Sequence, residues 1–224
     1  MGKFISIAID GPAGAGKSTL AKACAKALDY LYVDTGAIYR TVGYYMRLMG
    51  IGPKDCDGIA RLIDEVNIDL RYEAGEQHMF LNGDDVTSEI RTPEMSMYAS
   101  GVSAQPCVRA FLLDMQRELA RRNNVIMDGR DIGTVVLPNA NVKIFLTASA
   151  EVRAQRRYDE LVKKGEKTTY AQVLAEMRQR DRQDSERAAA PLRQASDAVL
   201  LDTSALTLDE AVAAIIRLVQ EKLA

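Results

Sequence analysis

The segment "GPAGAGKST", residues 11–19, constrains this chain more than any other. It follows the apolar run "FISIAID" and precedes a stretch with helical periodicity. Gly11 to Ser18 satisfies G-x-x-x-x-G-K-[ST], a loop whose glycines let backbone N–H groups turn inward around phosphate oxygens. The helix that follows points its positive end at the same oxygens. Such a loop needs a sheet whose strands end at an open ligand crevice, so it selects an α/β architecture. Lys17 is expected to reach the terminal phosphates of a bound nucleotide, and the Ser18 hydroxyl to help hold Mg²⁺.

The rest of the chain agrees with that architecture. Short apolar runs at 4–9, 30–33, 125–127, 142–146 and 198–201 have the continuous hydrophobicity of parallel strands covered on both faces. Helical patterns occupy 17–28, 37–49, 106–122, 150–164, 170–187 and 208–223. Their alternation predicts a doubly wound parallel sheet. Thr169 with Gln172, and Thr207 with Glu210, each fit a capping box at a helix start. Residues 66–90 depart from the pattern: apolar and polar positions alternate, with turn signals at Ala74-Gly75 and Asn82-Gly83. That predicts a small antiparallel insertion of two or three strands. A basic, glycine-punctuated stretch, "KKGEKTT" at 163–169, separates two helices. No repeat or low-complexity linker interrupts the 224 residues, which suffice for one core domain with two appendages.

Composition removes several function classes. Hydrophobic residues at 47% and charged residues at 27% exclude a disordered or fibrous chain. A formal net charge of -2 argues against a general nucleic-acid binder, so a positive site must be local. Cys24, Cys56 and Cys107 lie far apart without a CxxC pair, which favours reduced thiols over a disulfide framework or zinc site. His78 is the only histidine, leaving no basis for a histidine triad. No apolar run approaches the roughly 20 residues of a membrane span. Gly2 and Ser6 fit a loose myristoylation pattern, but the strand-like run at 4–9 favours a buried segment there. The expectation is a soluble, cytoplasmic protein without a membrane partner.

Arginines indicate what receives the phosphate. "VDTGAIYR" places Thr35, Gly36 and Arg40 where the second strand gives way to a helix, and "VIMDGRDIG" places Asp128, Arg130 and Asp131 at the end of the third. Ligands of open α/β sheets gather at those carboxyl ends. Asp128 takes the position of the acidic residue that organises Mg²⁺ in phosphate-loop proteins, directly or through water. Further on, Arg180, Asp184 and Arg187 fall at i, i+4 and i+7, a spacing that predicts one shared helix face. In isolation that run also fits a solvated helix with internal salt bridges. With Arg40 and Arg130 it fits a set of guanidinium forks around an acceptor that carries its own phosphate.

Taken together, "GPAGAGKS", "DTGAIYR", "IRT", "DGRDIGTVV", "VKIFL" and "RDRQDSERAAAPL" resemble the bacterial cytidylate kinases, a nucleoside-monophosphate kinase family, from about residue 4 to 223. The resemblance implies a five-stranded parallel sheet flanked by helices, with the core at 1–62, 98–152 and 170–224. It also implies a monophosphate-binding insert at about 63–97 and a lid at about 153–169. The implied reaction is Mg²⁺-dependent transfer of the ATP γ-phosphoryl group to CMP or dCMP, in pyrimidine nucleotide metabolism, by a monomer. Gly11, Pro12, Ala13, Gly14, Ala15, Gly16, Lys17, Ser18 and Thr19 become the ATP cradle. Arg40, Arg130 and Arg187 would grip the CMP phosphate. Thr35, Arg180 and Asp184 would lie around the ribose, and Ser100, Arg109 and Asp131 would face the cytosine. Thr35 stands where relatives often have serine, and Ser18 where glycine is common, so part of the metal role could fall to Thr19. Arg153, Arg156 and Arg157 all suit the lid arginine by spacing; Arg157 joins Lys17, Arg130 and Arg187 in the expected catalytic set. Kinases of UMP, AMP or shikimate are the near alternatives. A GTPase-like switch lacks its usual Asn-Lys-x-Asp reader, since no Asn-Lys dipeptide occurs.

Overall fold

The computed structural model describes residues 4–73 and 75–223. Gly2 of the acylation pattern and Ala74 of the first turn signal lie outside the described residues. The chain divides into two compact units, Met1–Tyr32 with Asn123–Ala224, and Val33–Arg122.

Five strands form one parallel sheet: β1 (Ser6–Asp10), β2 (Leu31–Asp34), and further along β6 (Val125–Gly129), β7 (Val142–Thr147) and β8 (Val199–Asp202). Their order is β2-β6-β1-β7-β8, with β1 parallel to both β6 and β7, and β7 parallel to β8. All five apolar runs read from the sequence are these strands. The chain passes from the first unit to the second within β2. In the first unit Ile7, Ile9, Ile126, Ile144 and Leu146 are buried. Against them pack Leu20, Ala21 and Cys24 of α1 (Lys17–Leu28) and Ala211, Ile215 and Val219 of α8 (Leu208–Leu223). α6 (Ala150–Lys163) and α7 (Tyr170–Glu186) pair through Ala154, Leu161, Val173 and Met177, with "KKGEKTT" bridging them. Both capping boxes are present: Thr169 with Gln172 on α7, Thr207 with Glu210 on α8.

The second unit holds the antiparallel insertion, β3 (Ile68–Glu73), β4 (Glu76–Leu81) and β5 (Asp84–Asp85), in that order. Asn82 and Gly83 turn the chain with φ of 51° and 99°. Its helices are α2 (Thr35–Leu48), α3 (Cys56–Leu62), α4 (Pro93–Val102) and α5 (Pro106–Arg122). α2 and α4 approach closely at Gly43, where a Cβ would lie 2.8 Å from the Tyr98 Cβ. Among the described residues no helix is long and apolar enough to cross a membrane.

Strand order positions the chemistry. β1 sends its connection through α1 toward β2, whereas the neighbouring β6 leads toward β7 on the other side of β1. That reversal opens a crevice at the carboxyl ends of β1 and β6. Gly11–Gly16 leaves β1 at this end, and Arg130–Asp131 leaves β6.

Candidate active site

The phosphate loop is held from several sides. Gly11 has φ of 152°, and a Cβ there would sit 1.9 Å from the Leu146 carbonyl oxygen, so only glycine fits against β7. Gly16, in the left-handed region, is the N-cap of α1 and offers no side chain to its first-turn amides. The amides at that helix end remain open to an anionic ligand. Lys17 is only 6% exposed, and its Nζ donates to the Pro12 carbonyl at 2.8 Å. Burial, then the Arg130 charge, holds the lysine well below its ordinary pKa, opposed by Asp128 and Asp10.

Asp128 ends the third apolar run of the sequence and is buried. Its two oxygens accept from Ser18 Oγ and Tyr32 OH, each at 2.9 Å. A carboxylate and an aliphatic hydroxyl beside a phosphate cradle are the hard oxygen donors that Mg²⁺ takes when nucleotide phosphates and water complete its shell. The residues present therefore fit the ion. No cluster of three or more His, Cys, Asp or Glu able to hold a metal occurs among the described residues.

Beyond the cradle, arginines and carboxylates alternate. Arg130 Nε donates to Asp184 at 2.7 Å, and Arg187 donates to Asp131 at 3.2 Å and to the Ala190 carbonyl at 2.7 Å. Burial opposes charge on Asp184, but Arg130, Arg180 and Arg187 outweigh it and hold its carboxyl below the ordinary range. α7 ends at Glu186 and Arg187 is its C-cap, yet the Arg187 amide still donates to the Gln183 carbonyl at 3.1 Å, so Arg180, Asp184 and Arg187 share a face as their spacing predicts. The chain leaves the helix only after Arg187 (ψ 138°), and the Leu192 amide returns to the Asp184 carbonyl at 2.8 Å.

The second unit carries its own charged group. Asp34 caps α2 through the Ala37 amide at 2.8 Å, and its other oxygen accepts from Arg40 at 3.0 Å and Arg91 at 2.9 Å. Burial disfavours the Asp34 charge, yet the two arginines hold its carboxyl below the usual range. Gln77 of β4 accepts the Asp34 amide at 2.9 Å. The Arg40 guanidinium lies over Gly36, and its Nε is buried without a hydrogen-bond partner. Thr35 is buried at the start of α2. Arg109 donates to the Ser103 carbonyl at 3.2 Å, and its guanidinium carbon lies 5.8 Å from the Tyr39 ring centre. Ser100 accepts the Ser103 hydroxyl on its carbonyl.

The three arginines that spacing offers for a lid part company. Arg153 is buried against Asp181, Arg156 donates to the Thr203 carbonyl at 2.8 Å, and Arg157 meets the half-exposed Glu160 one turn away at 2.8 Å. Sequence reasoning missed Asp34, Arg91 and Gln77 as an anchoring set, Tyr32 as a partner of Asp128, and Asp10. Asp34 had a usable signal, an acidic residue immediately before a helical pattern. Asp10 had one too, as the lone charge closing an apolar strand.

Comparison with known proteins follows the same lines. Residues 7–221 match the family model for cytidylate kinase. Relatives include the cytidylate kinase of an Exiguobacterium species, 51% identical over 221 residues and 99% of each chain. The cytidylate kinase of Caldicellulosiruptor bescii is 50% identical over 216 residues and 96% of each chain. Among solved structures, an uncharacterized protein from Eubacterium ventriosum shares the fold with a TM-score of 0.54 at 13% identity, covering 96% of this chain and 98% of that one.

Proposed function

This chain belongs to the cytidylate kinase family, and from that premise we propose that it transfers the γ-phosphoryl group of ATP to CMP, giving CDP and ADP. The observation that carries the reading is the conjunction, within one unit, of a complete phosphate cradle and the paired arginines Arg130 and Arg187. The cradle alone fits many phosphoryl donors; the arginine pairs fit an acceptor already charged. dCMP is proposed as a second acceptor.

In this scheme Gly11–Thr19 binds the ATP phosphates, with Lys17 Nζ leaving the Pro12 carbonyl for the β and γ oxygens. Ser18 and Asp128 would hold Mg²⁺, which when bound neutralises charge on those oxygens. Arg40, Arg130 and Arg187 are assigned to the CMP phosphate, Thr35, Arg180 and Asp184 to the ribose, and Ser100, Arg109 and Asp131 to the base. No strong general base is required, because the attacking phosphate oxygen is anionic at neutral pH. Catalysis then reduces to alignment and charge stabilisation. Residues 63–97 are assigned to acceptor binding, and residues 153–169 to a lid that excludes water and contributes Arg157. With nucleotides as substrates and a net charge of -2, the proposed form is a cytoplasmic monomer that binds neither nucleic acid nor membrane.

Steady-state transfer from ATP·Mg²⁺, run in parallel on CMP, dCMP, UMP, AMP and shikimate, tests the reading. Strong turnover of CMP and dCMP with weak UMP is expected; preference for any other acceptor overturns it. Base choice has its own test in Asp131. Its carboxylate could accept from the cytosine N4 amino group and repel the uracil O4. Its ion pair with Arg187, an arginine not paired with it on sequence grounds, offers the competing role of orienting the phosphate clamp. Asp131→Ala is expected to lower the CMP-over-UMP ratio of kcat/KM by about tenfold. An unchanged ratio with both values reduced assigns Asp131 to Arg187 instead.

A further inference from the structure

Asp10 is a buried carboxylate that none of the assigned roles uses, at 5% exposure on the last position of β1. One oxygen accepts the Ile132 amide and the other the Gly133 amide, both at 2.7 Å. Those amides follow Arg130 and Asp131 directly and open a single π-helical turn, Ile132–Val136, whose first carbonyl acceptor is Asp131 itself. Two convergent N–H donors on one carboxylate are a rigid fork, and no neutral side chain of the same size reproduces it. We propose that Asp10 is a positioning residue of the kinase reaction, holding the Arg130–Asp131 loop in register with the start of the phosphate loop. This rests on the proposed assignment of Arg130 and Asp131 to CMP.

The placement favours that role over simple packing. Asp10 immediately precedes Gly11, so one residue ends the strand that launches the donor cradle and tethers the loop assigned to the acceptor. The cradle has other anchors: Gly11 against Leu146, the Ala13 carbonyl on Arg153, and the Pro12 carbonyl on Lys17. Loss of the fork should therefore disturb the acceptor side and spare the donor side. Burial also pushes the Asp10 carboxyl up to about 6, against both amide bonds and the nearby Lys17, with Asp131 adding to the rise. A carboxylate kept in so unfavourable a place is consistent with work beyond filling space.

The test combines Asp10→Asn with amide exchange on the wild type. Asparagine keeps the shape but accepts only one of the two amides and turns its own N–H₂ on the other. The expected result is a fall of about 100-fold in kcat/KM for CMP, shared between a higher KM and a lower kcat, with KM for ATP within about threefold of wild type. In the wild type, the Ile132 and Gly133 amides should exchange as slowly as those of β6. A lower Tm with unchanged CMP constants, an equal rise in both KM values, or fast exchange at Ile132 and Gly133 each overturns the proposal. If the wild type itself fails to turn over CMP, the functional assignment falls, while the exchange result still decides whether the tether exists.

Discussion

Replacing Lys17 with methionine is expected to lower kcat about a thousandfold, equivalent to about 4 kcal/mol of transition-state stabilisation, without destabilising the ligand-free protein. The catalytic loss follows from the one ammonium in the cradle that can meet charge on a transferring phosphoryl group. The stability result follows from its surroundings. Burial and the Arg130 and Arg180 charges hold the Lys17 pKa well below its unfolded value. Between the depressed folded value and 10.5 the unfolded chain binds more protons than the native one, so this lysine makes stability rise with pH across that window. Below it, the full cost of the buried charge is present. Methionine removes that cost and gives up one hydrogen bond to the Pro12 carbonyl. Melts without nucleotide should show a Tm for Lys17→Met equal to or above wild type at pH 7, with the gap closing as pH approaches 10. Added ATP should then stabilise the wild type more than the variant. A variant that melts well below wild type at pH 7 would show that Lys17 holds the loop together rather than waiting for phosphate.

The same physics decides what the sequence could and could not disclose. β1, β6 and β7 are legible because a strand covered on both faces has to be apolar along its whole length, and "VKIFL" cannot be much else. β8 is an equally apolar run but an edge strand with Leu200 exposed, so its apolar character does not come from two covered faces. α7 and α8 are legible at their starts because a capping box is local, three residues wide. α4 is not: "PEMSMYASGV" mixes Ser, Gly and Met without a clean stripe, although Thr92 at the cap and Pro93 after it mark a start. "IGTVV" at 132–136 looks like a strand from its β-branched residues, yet it is a π-turn, with two of its amides taken by Asp10 on the neighbouring strand β1, distant in sequence but adjacent in the sheet. Motifs name Arg130, Asp131, Asp184 and Arg187, charged residues that the structure brings together. The pairing was not readable, since Arg130 meets Asp184 54 positions away, and Asp34 meets Arg91 57 away. Arg187 was legible by spacing even as the C-cap of α7, because a C-cap's Cα is placed by the helix before it and its amide keeps the helix bond to Gln183.

Arg153 gives the second large effect, and it separates three arginines that spacing left equal. Its side chain is 6% exposed and donates to both oxygens of Asp181, at 3.1 and 2.7 Å. It also donates to the Ala148 carbonyl at 2.9 Å and the Ala13 carbonyl at 3.0 Å. Each of the three guanidinium nitrogens is thus engaged, and together they tie α6 to α7 and to the phosphate loop. Removing one member of a buried pair costs about 3–5 kcal/mol, chiefly through the charge left behind. Asp181 keeps some contact with water at 25% side-chain exposure, so the lower end applies. Arg153→Met should therefore lose about 3 kcal/mol, a fall in Tm of roughly 6–12 °C for a chain of this size. Arg153→Met with Asp181→Asn should recover part of that loss, because the stranded carboxylate is gone. Arg157→Ala should do the reverse of the single Arg153 change. Its partner Glu160 is exposed and one turn away, a pair that contributes little to stability. If Arg157 meets the transferring phosphate, kcat falls by at least tenfold with Tm within about 1 °C of wild type. Melting curves and kcat on the two variants should cross: Arg153→Met loses its fold first, Arg157→Ala its turnover. A large kcat loss in a thermally intact Arg153→Met would move the lid role to Arg153 and show that its bonds to Asp181 open during the reaction.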